Sequence, residues 1–585
     1  MERDSISLLW PGEVQAVGGV LDQRAAVDLD LHTTINALAE SADQREAIEQ
    51  LLGMLCQDAD TISYRQEVIA DLLADNELTA GLQNLVQDLS SLTRFHLPRE
   101  KAEILYEVTW RLGELESYAD CVDKLGSLLD APQRDIGSRA LRRLRVYLQS
   151  VRSDPVFAHL RAELPELMSR VRGIASVTVG INLDQDLQPQ AATLLQINKR
   201  RFHGSSDTLL GRLFGGKRTG GWEGIAPLHS MPKAGAGEQR SPYVRPLMVP
   251  LFRDLSDLLS RSCRPIAAAL ERYVQLNSRV LADSSGQLML YLGALRLIRR
   301  LQDLGLPMCR PDIVPMSEGV CVLAEGYNLN LALRFAGQDS ADLGERIVRN
   351  DIEIGRAGDV FVLTGPNRGG KTTYMQAVGL AQVLAQAGLY VPARAARISP
   401  VDGVYTHFPA KEHPELDTGR LGEEAQRLRE LFSAATSCSL ILLNESLSTT
   451  SPAESLDLAR DVLRILRLLG ARAIYTTHMH ELAREVEQLN REVPGSARIT
   501  SLISLVEGGR SGEVMEAGTK DRGGRGHRRV LAAARESESP QSIHRTFKIQ
   551  PGTPAGQSYA REIAAKHGVS YHQLEELLRK RGVVS

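Results

Sequence analysis

The sequence predicts a multidomain protein in which a largely α-helical region is followed by an α/β domain built around a phosphate loop. Three observations carry that prediction. Apolar residues recur at three- and four-residue spacing from about 28 to 170 and again over 251–305, the period of helices with one buried face. From about 318 short apolar runs alternate with helical stretches, as a sheet covered by helices demands. Within that half, FVLTGPNRGGKTTYM at 361–375 has the G-x-x-x-x-G-K-[ST] spacing in a strand–loop–helix context.

Composition narrows the class. A chain of 585 residues is too long for one core. With 43% hydrophobic and 24% charged residues it reads as an ordinary globular protein. There is no run of 18 or more apolar residues, and Met1-Glu-Arg-Asp lacks the basic start and apolar core of a signal peptide, so a cytoplasmic location with no membrane partner is expected. Six cysteines (Cys56, Cys121, Cys263, Cys309, Cys321 and Cys438) are scattered without a C-x-x-C pair. They read as reduced packing residues rather than a zinc site or a disulfide framework. A net charge of −3 leaves nucleic-acid binding to local basic patches.

In chain order, the first helical layer shows pairs such as Ile35 with Leu38, and Ile48 with Leu51 and Leu52. Between 172 and 250 a β-like run (Val177, Val179, Ile181) gives way to a Gly-rich basic segment holding Lys199, Arg200, Arg201, Arg212, Lys217 and Arg218, with Phe202, Phe214 and Trp222 interleaved. Two readings stay open there: a solvated loop, or a tip whose cations neutralise nucleic-acid phosphates. Helical periodicity returns and ends in LMLYLGALRLIRRLQDLG. Residues 508–545 are rich in Gly, Arg, Ser and Glu and poor in large apolar groups, which predicts a disordered insertion. Order is expected to resume at Phe547, with amphipathic helices near 557–567 and 571–581.

The phosphate loop is the chemical centre of this reading. Gly365, Gly369 and Gly370 turn the backbone with no Cβ in the way, around Pro366, Asn367 and Arg368, and Lys371, Thr372 and Thr373 open the next helix. Loop N–H groups and the positive helix end face the α/β-phosphates, Lys371 reaches the β/γ-phosphates, and the Thr372 hydroxyl ligates Mg²⁺. Binding of ATP or GTP is therefore expected. Downstream, SLILLNESLSTTS at 439–451 is an apolar strand ending in Asn444 and Glu445. Glu445 suits the base for an attacking water, whereas Asn444 reaches the metal only through a bound water and adds no charge. The run RAIYTTHMHEL at 472–482 ends in Thr477-His478, and a neutral imidazole there donates one hydrogen bond to a γ-phosphate. His480 is expected at the surface. ISPVDGVYTHFP at 398–409 reads as another strand, with a loop where a γ-phosphate-sensing segment belongs.

Taken together, GPNRGGKTTYMQ, GLYVPARAARISPVDGVYTHF, SLILLNE and TTHMHEL resemble, in order and spacing, the ATPase domain of the MutS mismatch-repair family. FKIQPGTPAGQSYAREIAAKHGVS is similar to that family's C-terminal segment, which helps join two subunits. The resemblance is strong over about 345–585 and weaker over 30–330, where YRQEVIADLL at 64–73 resembles the start of the helical lever and INLDQDLQPQ the clamp-bearing region. It implies a helical core and lever over 1–170, a clamp-like or mobile basic segment over 171–250, a second lever segment over 251–317, and an ABC-type ATPase domain over 318–585, with dimerising helices in 546–585. It further implies ATP with Mg²⁺, Lys371, Glu445 and His478 as the catalytic set, DNA as partner, and a homodimer with two composite sites. Four departures limit the carry-over. None of the ten phenylalanines is followed two residues later by Glu, the family's mismatch reader, and both N-terminal mismatch-repair domains are expected to be missing. The serine-threonine signature that crosses the dimer corresponds here to TGRLGEE at 418–424, leaving the Gly419 backbone N–H and the Arg420 cation as its candidates. Asn444 replaces an aspartate, and the 508–545 insertion interrupts the ATPase domain. The alternatives are a nucleotide-gated scaffold without turnover, or a relative acting on recombination intermediates or ribosomes.

Overall fold

The computed structural model describes residues 6–12, 18–96, 104–172, 176–187, 189–202, 263–274, 276, 278–337, 343–355, 358–409, 419–448, 450–495, 497–507, 544–554 and 571–580. The chain divides into two compact units, one of Met1–Leu8, Asp75–Gly137 and Leu141–Leu288, the other of Leu9–Ala74, Ser138–Ala140 and Met289–Ser585. Residues 9–74 thus group with the α/β half rather than with the helices that follow them in sequence.

In the helical unit, Asn76–Ser91, Ile104–Leu129 and Pro155–Arg172 bury Leu78, Leu82, Leu89, Leu112, Leu115, Val122 and Leu160, the apolar stripes that the three- and four-residue spacing foretold. The hydroxyl of Ser278 donates to Glu114 (2.6 Å), whose other oxygen pairs with Arg111 at 2.6 Å, so the buried carboxylate is satisfied at both oxygens. The β-like run forms an antiparallel hairpin of Ser176–Leu183 and Pro189–Asn198.

Numbered along the whole chain, the strands are β1 (Gly18–Val20), β2 (Met54–Cys56), the hairpin strands β3 and β4 just given, β5 (Asp312–Ile313), β6 (Cys321–Gly326), β7 (Asn350–Ile354), β8 (Val360–Thr364), β9 (Ala395–Ile398), β10 (Val404–His407), β11 (Leu440–Asn444), β12 (Arg472–Thr477), β13 (Ile499–Glu507) and β14 (His544–Pro551). The main sheet of the α/β unit has the order β10-β11-β12-β8-β13-β14, parallel except for the β13–β14 pair. A smaller sheet has the order β5-β9-β6-β7, and β1 pairs with β2 alone. Strands β8, β11 and β12 are buried along their whole length, as parallel strands covered on both faces must be.

Alternation decides which helices cover which face. Val360, Val362, Ile441, Leu443, Ala473 and Tyr475 form one core with Leu428, Leu431, Val462, Leu463, Leu466 and Leu482, so the helices Gly419–Ala434 and Pro452–Leu469 lie on that side. On the other lies the helix Lys371–Gln386, buried over 13 of its 16 residues. Gly379 shows why: a Cβ there would sit 2.5 Å from Leu29 and 3.0 Å from Leu442, so the helix is held between the sheet and the 9–74 segment. Arg65, from the YRQEVIADLL stretch, donates to the Gln386 and Ala387 carbonyls at 3.5 and 3.3 Å, placing its charge at the negative end of that helix.

The C-terminal strand β14 begins at His544, three residues before the expected restart at Phe547. Of the two expected terminal helices, Tyr571–Lys580 is present; the one near 557–567, and the insertion over 508–543, lie outside the described residues. Among the described residues no helix is long and apolar enough to cross a membrane.

Candidate functional site

Strand order brings three loop mouths to one edge. Thr364 of β8 is level with Thr477 of β12, and Thr476 with Asn444 of β11, so the segments after β8, β11 and β12 leave the sheet side by side at its C-terminal edge, where open α/β sheets hold ligands. The 365–370 loop turns there because Gly370, at φ +88°, caps the helix in the left-handed region, which glycine adopts without steric cost. A Cβ on Gly369 would lie 2.8 Å from Ser504 Oγ, and that hydroxyl instead donates to the Gly369 carbonyl at 2.6 Å.

Lys371 opens the helix with its side chain 4% exposed. Its Nζ donates to the carbonyls of Gly365 (3.0 Å) and Pro366 (3.1 Å), and lies 3.4 Å from His478 Nδ1 and 3.8 Å from Glu445 Oε1. Burial pushes the Lys371 ammonium's pKa down, against the opposing pull of Glu445. His478 Nε2 lies 2.8 Å from Glu445 Oε1, and this hydrogen bond, aided by the charges of His478 and Lys371, holds the Glu445 carboxyl below its ordinary value despite burial. The two ring nitrogens of His478 thus bridge the Lys371 ammonium and the Glu445 carboxylate. Asn444 is 8% exposed, and its Oδ1 accepts from the hydroxyls of Thr476 (2.7 Å) and Thr372 (3.3 Å). Glu445 itself has φ +51°, an unfavourable conformation for a side-chain-bearing residue and one that gathers at functional sites.

The loop opens into a cavity of about 460 Å³. Its far wall is Tyr327, Phe335, Arg346, Val348 and Phe547, with the Arg346 guanidinium 4.7 Å over the Phe335 ring. Phe547 is 42% exposed, adopts φ +56°, and its carbonyl accepts from Asn350 Nδ2 at 3.1 Å. Sequence reasoning missed this wall because its members are spread over 327–348 and 547 with no common spacing. It also missed His407, which is 4% exposed; the hydrogen-bonding side chain ends an apolar strand, the one available hint.

The remaining expected residues belong to other elements or lie outside the described residues. Gly419 and Arg420 form the first turn of the helix Gly419–Ala434; the Arg420 side chain is not among those described. Lys199, Arg200 and Arg201 are exposed just beyond β4 in the helical unit, and Lys217 and Arg218 lie outside the described residues. His480, expected at the surface, is half-buried as the first residue of the helix His480–Arg484, because that short helix packs Leu482 and Ala483 into the core. Among the described residues no cluster of three or more His, Cys, Asp or Glu holds a metal site. The hard oxygens of Thr372 and Asn444, beside an anionic ligand's own oxygens, fit Mg²⁺, which takes few protein ligands.

Residues 361–502 match the family model "MutS domain V", and residues 57–304 match "MutS2 N-terminal domain". The chain belongs to the MutS family. It is 36% identical over 156 residues to a DNA mismatch repair protein MutS of Brevibacillus brevis, a match covering 26% of this chain and 18% of that protein. It is 30% identical over 238 residues to the MutS of Shouchella clausii (38% and 26%) and 38% identical over 143 residues to a DNA mismatch repair protein MutS 2 of Halobacterium salinarum (24% and 17%). The matched part thus spans about a quarter or less of each MutS relative.

Proposed function

We propose that this MutS-family chain binds and hydrolyses Mg·ATP at the edge of β8, β11 and β12, as a homodimer that couples nucleotide state to DNA binding. The observation that carries the reading is the mutual contact of Lys371, Glu445 and His478 beside a glycine loop. In this reading the amides of Asn367 to Thr373 and the Lys371 ammonium bind the phosphates, and the purine lies against Val348 and Phe547. Lys371 leaves its two loop carbonyls for the β/γ-phosphates, a stronger charge-assisted interaction. Glu445 takes the proton of the attacking water, and His478 turns its Nε2–H toward the γ-phosphate. Thr372, with Asn444 through a water, holds Mg²⁺, which supplies charge neutralisation when bound. Gly419 and Arg420 face the nucleotide held by a second copy.

Asn444 gives two expected outcomes. Its neutral oxygen already accepts two hydroxyl hydrogen bonds, so Asn444→Asp adds charge where Mg²⁺ binds. The Mg²⁺ concentration for half-maximal ATPase activity drops about tenfold, about 1.4 kcal/mol, the order of one water-screened charge interaction at a few ångströms. A Mg²⁺ titration of both proteins checks this. The same neutral oxygen favours the second reading, a nucleotide-gated scaffold without turnover; equal, background-level rates for the wild type and Glu445→Gln select it.

DNA binding is proposed through the basic end of the hairpin. Replacing Lys199, Arg200 and Arg201 together by Ala weakens duplex or branched DNA binding and flattens the plot of log K against log salt by about 2 to 3, roughly one unit for each phosphate no longer neutralised. Titrations at several salt concentrations measure the slope. A panel of homoduplex, mismatched and branched DNA and RNA, with and without ATP, separates a DNA client from a ribosomal one.

A further inference from the structure

We propose that Glu424 is a positioning residue that ties the helix Gly419–Ala434 to the turn presenting Glu445, so that movement of that helix's first turn sets the aim of the carboxylate in the same chain. The inference rests on the reading of Glu445 as the hydrolytic base. Three observations on the turn carry it. Glu445 and Leu447 both have left-handed backbones, at φ +51° and +59°, so this stretch needs outside support to persist. Support comes on one side from Glu424 Oε2, which accepts from the Leu447 N–H at 2.9 Å. On the other, the intervening Ser446 is fixed by its Oγ, 2.7 Å from His407 Nδ1, and by its carbonyl, which accepts from Tyr475 OH at 3.0 Å.

His407, Tyr475 and Ser446 belong to the sheet and its edge, and their contacts are buried. Glu424 is the arm of the clamp that belongs to a separate element. It stands five residues after Gly419, about 7.5 Å along the helix, while the later turns are anchored by buried Leu428 and Leu431. A displacement at the first turn can therefore reach the Leu447 amide through the Glu424 carboxylate. If Gly419 and Arg420 meet the nucleotide of a second copy, occupancy of one site adjusts the base of the other.

The test compares wild type, Glu424→Ala, Glu424→Gln and Glu445→Gln, measuring kcat, KM and equilibrium ATP binding for each. Glu424→Ala lowers kcat by about tenfold or more, since a misplaced catalytic group costs that much, while KM and ATP affinity stay within about twofold. Glu424→Gln keeps at least about half of wild-type kcat, because its amide oxygen accepts the same hydrogen bond. Equal losses in the two Glu424 variants, a loss of ATP binding in step with kcat, or wild-type kcat in Glu424→Ala overturns the proposal. Should wild type itself turn over no faster than Glu445→Gln, the hydrolytic reading fails instead, and amide hydrogen exchange at Leu447 then decides the tie: faster exchange in Glu424→Ala than in wild type sustains it, and unchanged exchange overturns it.

Discussion

Replacing Glu445 by glutamine lowers steady-state ATP turnover by about 10²–10⁴-fold, the ordinary contribution of a positioned general base, and leaves ATP bound. The substitution keeps shape and removes the proton acceptor. Its effect on binding is small because in the proposed site the loop amides and Lys371 hold the phosphates, and the substitution changes none of them; Glu445 Oε1 lies 3.8 Å from Lys371 Nζ. The carboxylate is available for this work through the neutral range, since His478 holds its pKa below the ordinary 4.5. That shift is downward, so the stabilisation it gives the fold is present above 4.5 and is lost as pH falls through the lowered value. Steady-state rates and ATP retention on a desalting column measure the two halves of the prediction.

Lys371→Ala weakens ATP binding by about 100-fold, close to the 1.5–3 kcal/mol of one hydrogen bond to a charged group and tenfold for each 1.4 kcal/mol. The ligand loses its buried cation; the Gly365 and Pro366 carbonyls that accept from Nζ at 3.0 and 3.1 Å without nucleotide give up that donor in wild type too once Lys371 turns to the phosphates, so they add nothing to the difference. The fold should stand, because the Lys371 ammonium is already disfavoured by burial and its removal relieves that desolvation. Titration with a fluorescent ATP analogue gives the affinity, and a thermal melt without nucleotide confirms that the loss is local.

How much of this was legible in the sequence follows from the range of the forces involved. The places of the glycine loop, Glu445 and His478 at strand ends were readable because a short motif fixes each relative to the backbone. Their mutual contact was not, since it depends on β12 lying between β8 and β11, and strand order is a long-range property that no spacing encodes. The wall formed by Tyr327, Phe335, Val348 and Phe547 was hidden for the same reason. So was the placement of residues 9–74 with the α/β unit, which rests on contacts such as Leu29 against Gly379 and the Asn330 side chain donating to the Leu29 and Asp30 carbonyls (3.0 and 2.8 Å). Helical periodicity marked that segment's apolar stripe correctly and said nothing of what the stripe would meet. The left-handed backbones at Glu445, Leu447 and Phe547 were equally out of reach, because side-chain-bearing residues give no local sign of a conformation imposed by their surroundings.

The central claim is that Lys371, Glu445 and His478 form one hydrolytic site on the glycine loop. Single-turnover conversion of ATP labelled in its γ-phosphate, with protein and Mg²⁺ in excess, tests it most directly. Wild type is expected to turn bound ATP into ADP and phosphate while Glu445→Gln holds it intact for at least about 100-fold longer; equal conversion by the two proteins, or no ATP retained by either, rules the shared hydrolytic site out.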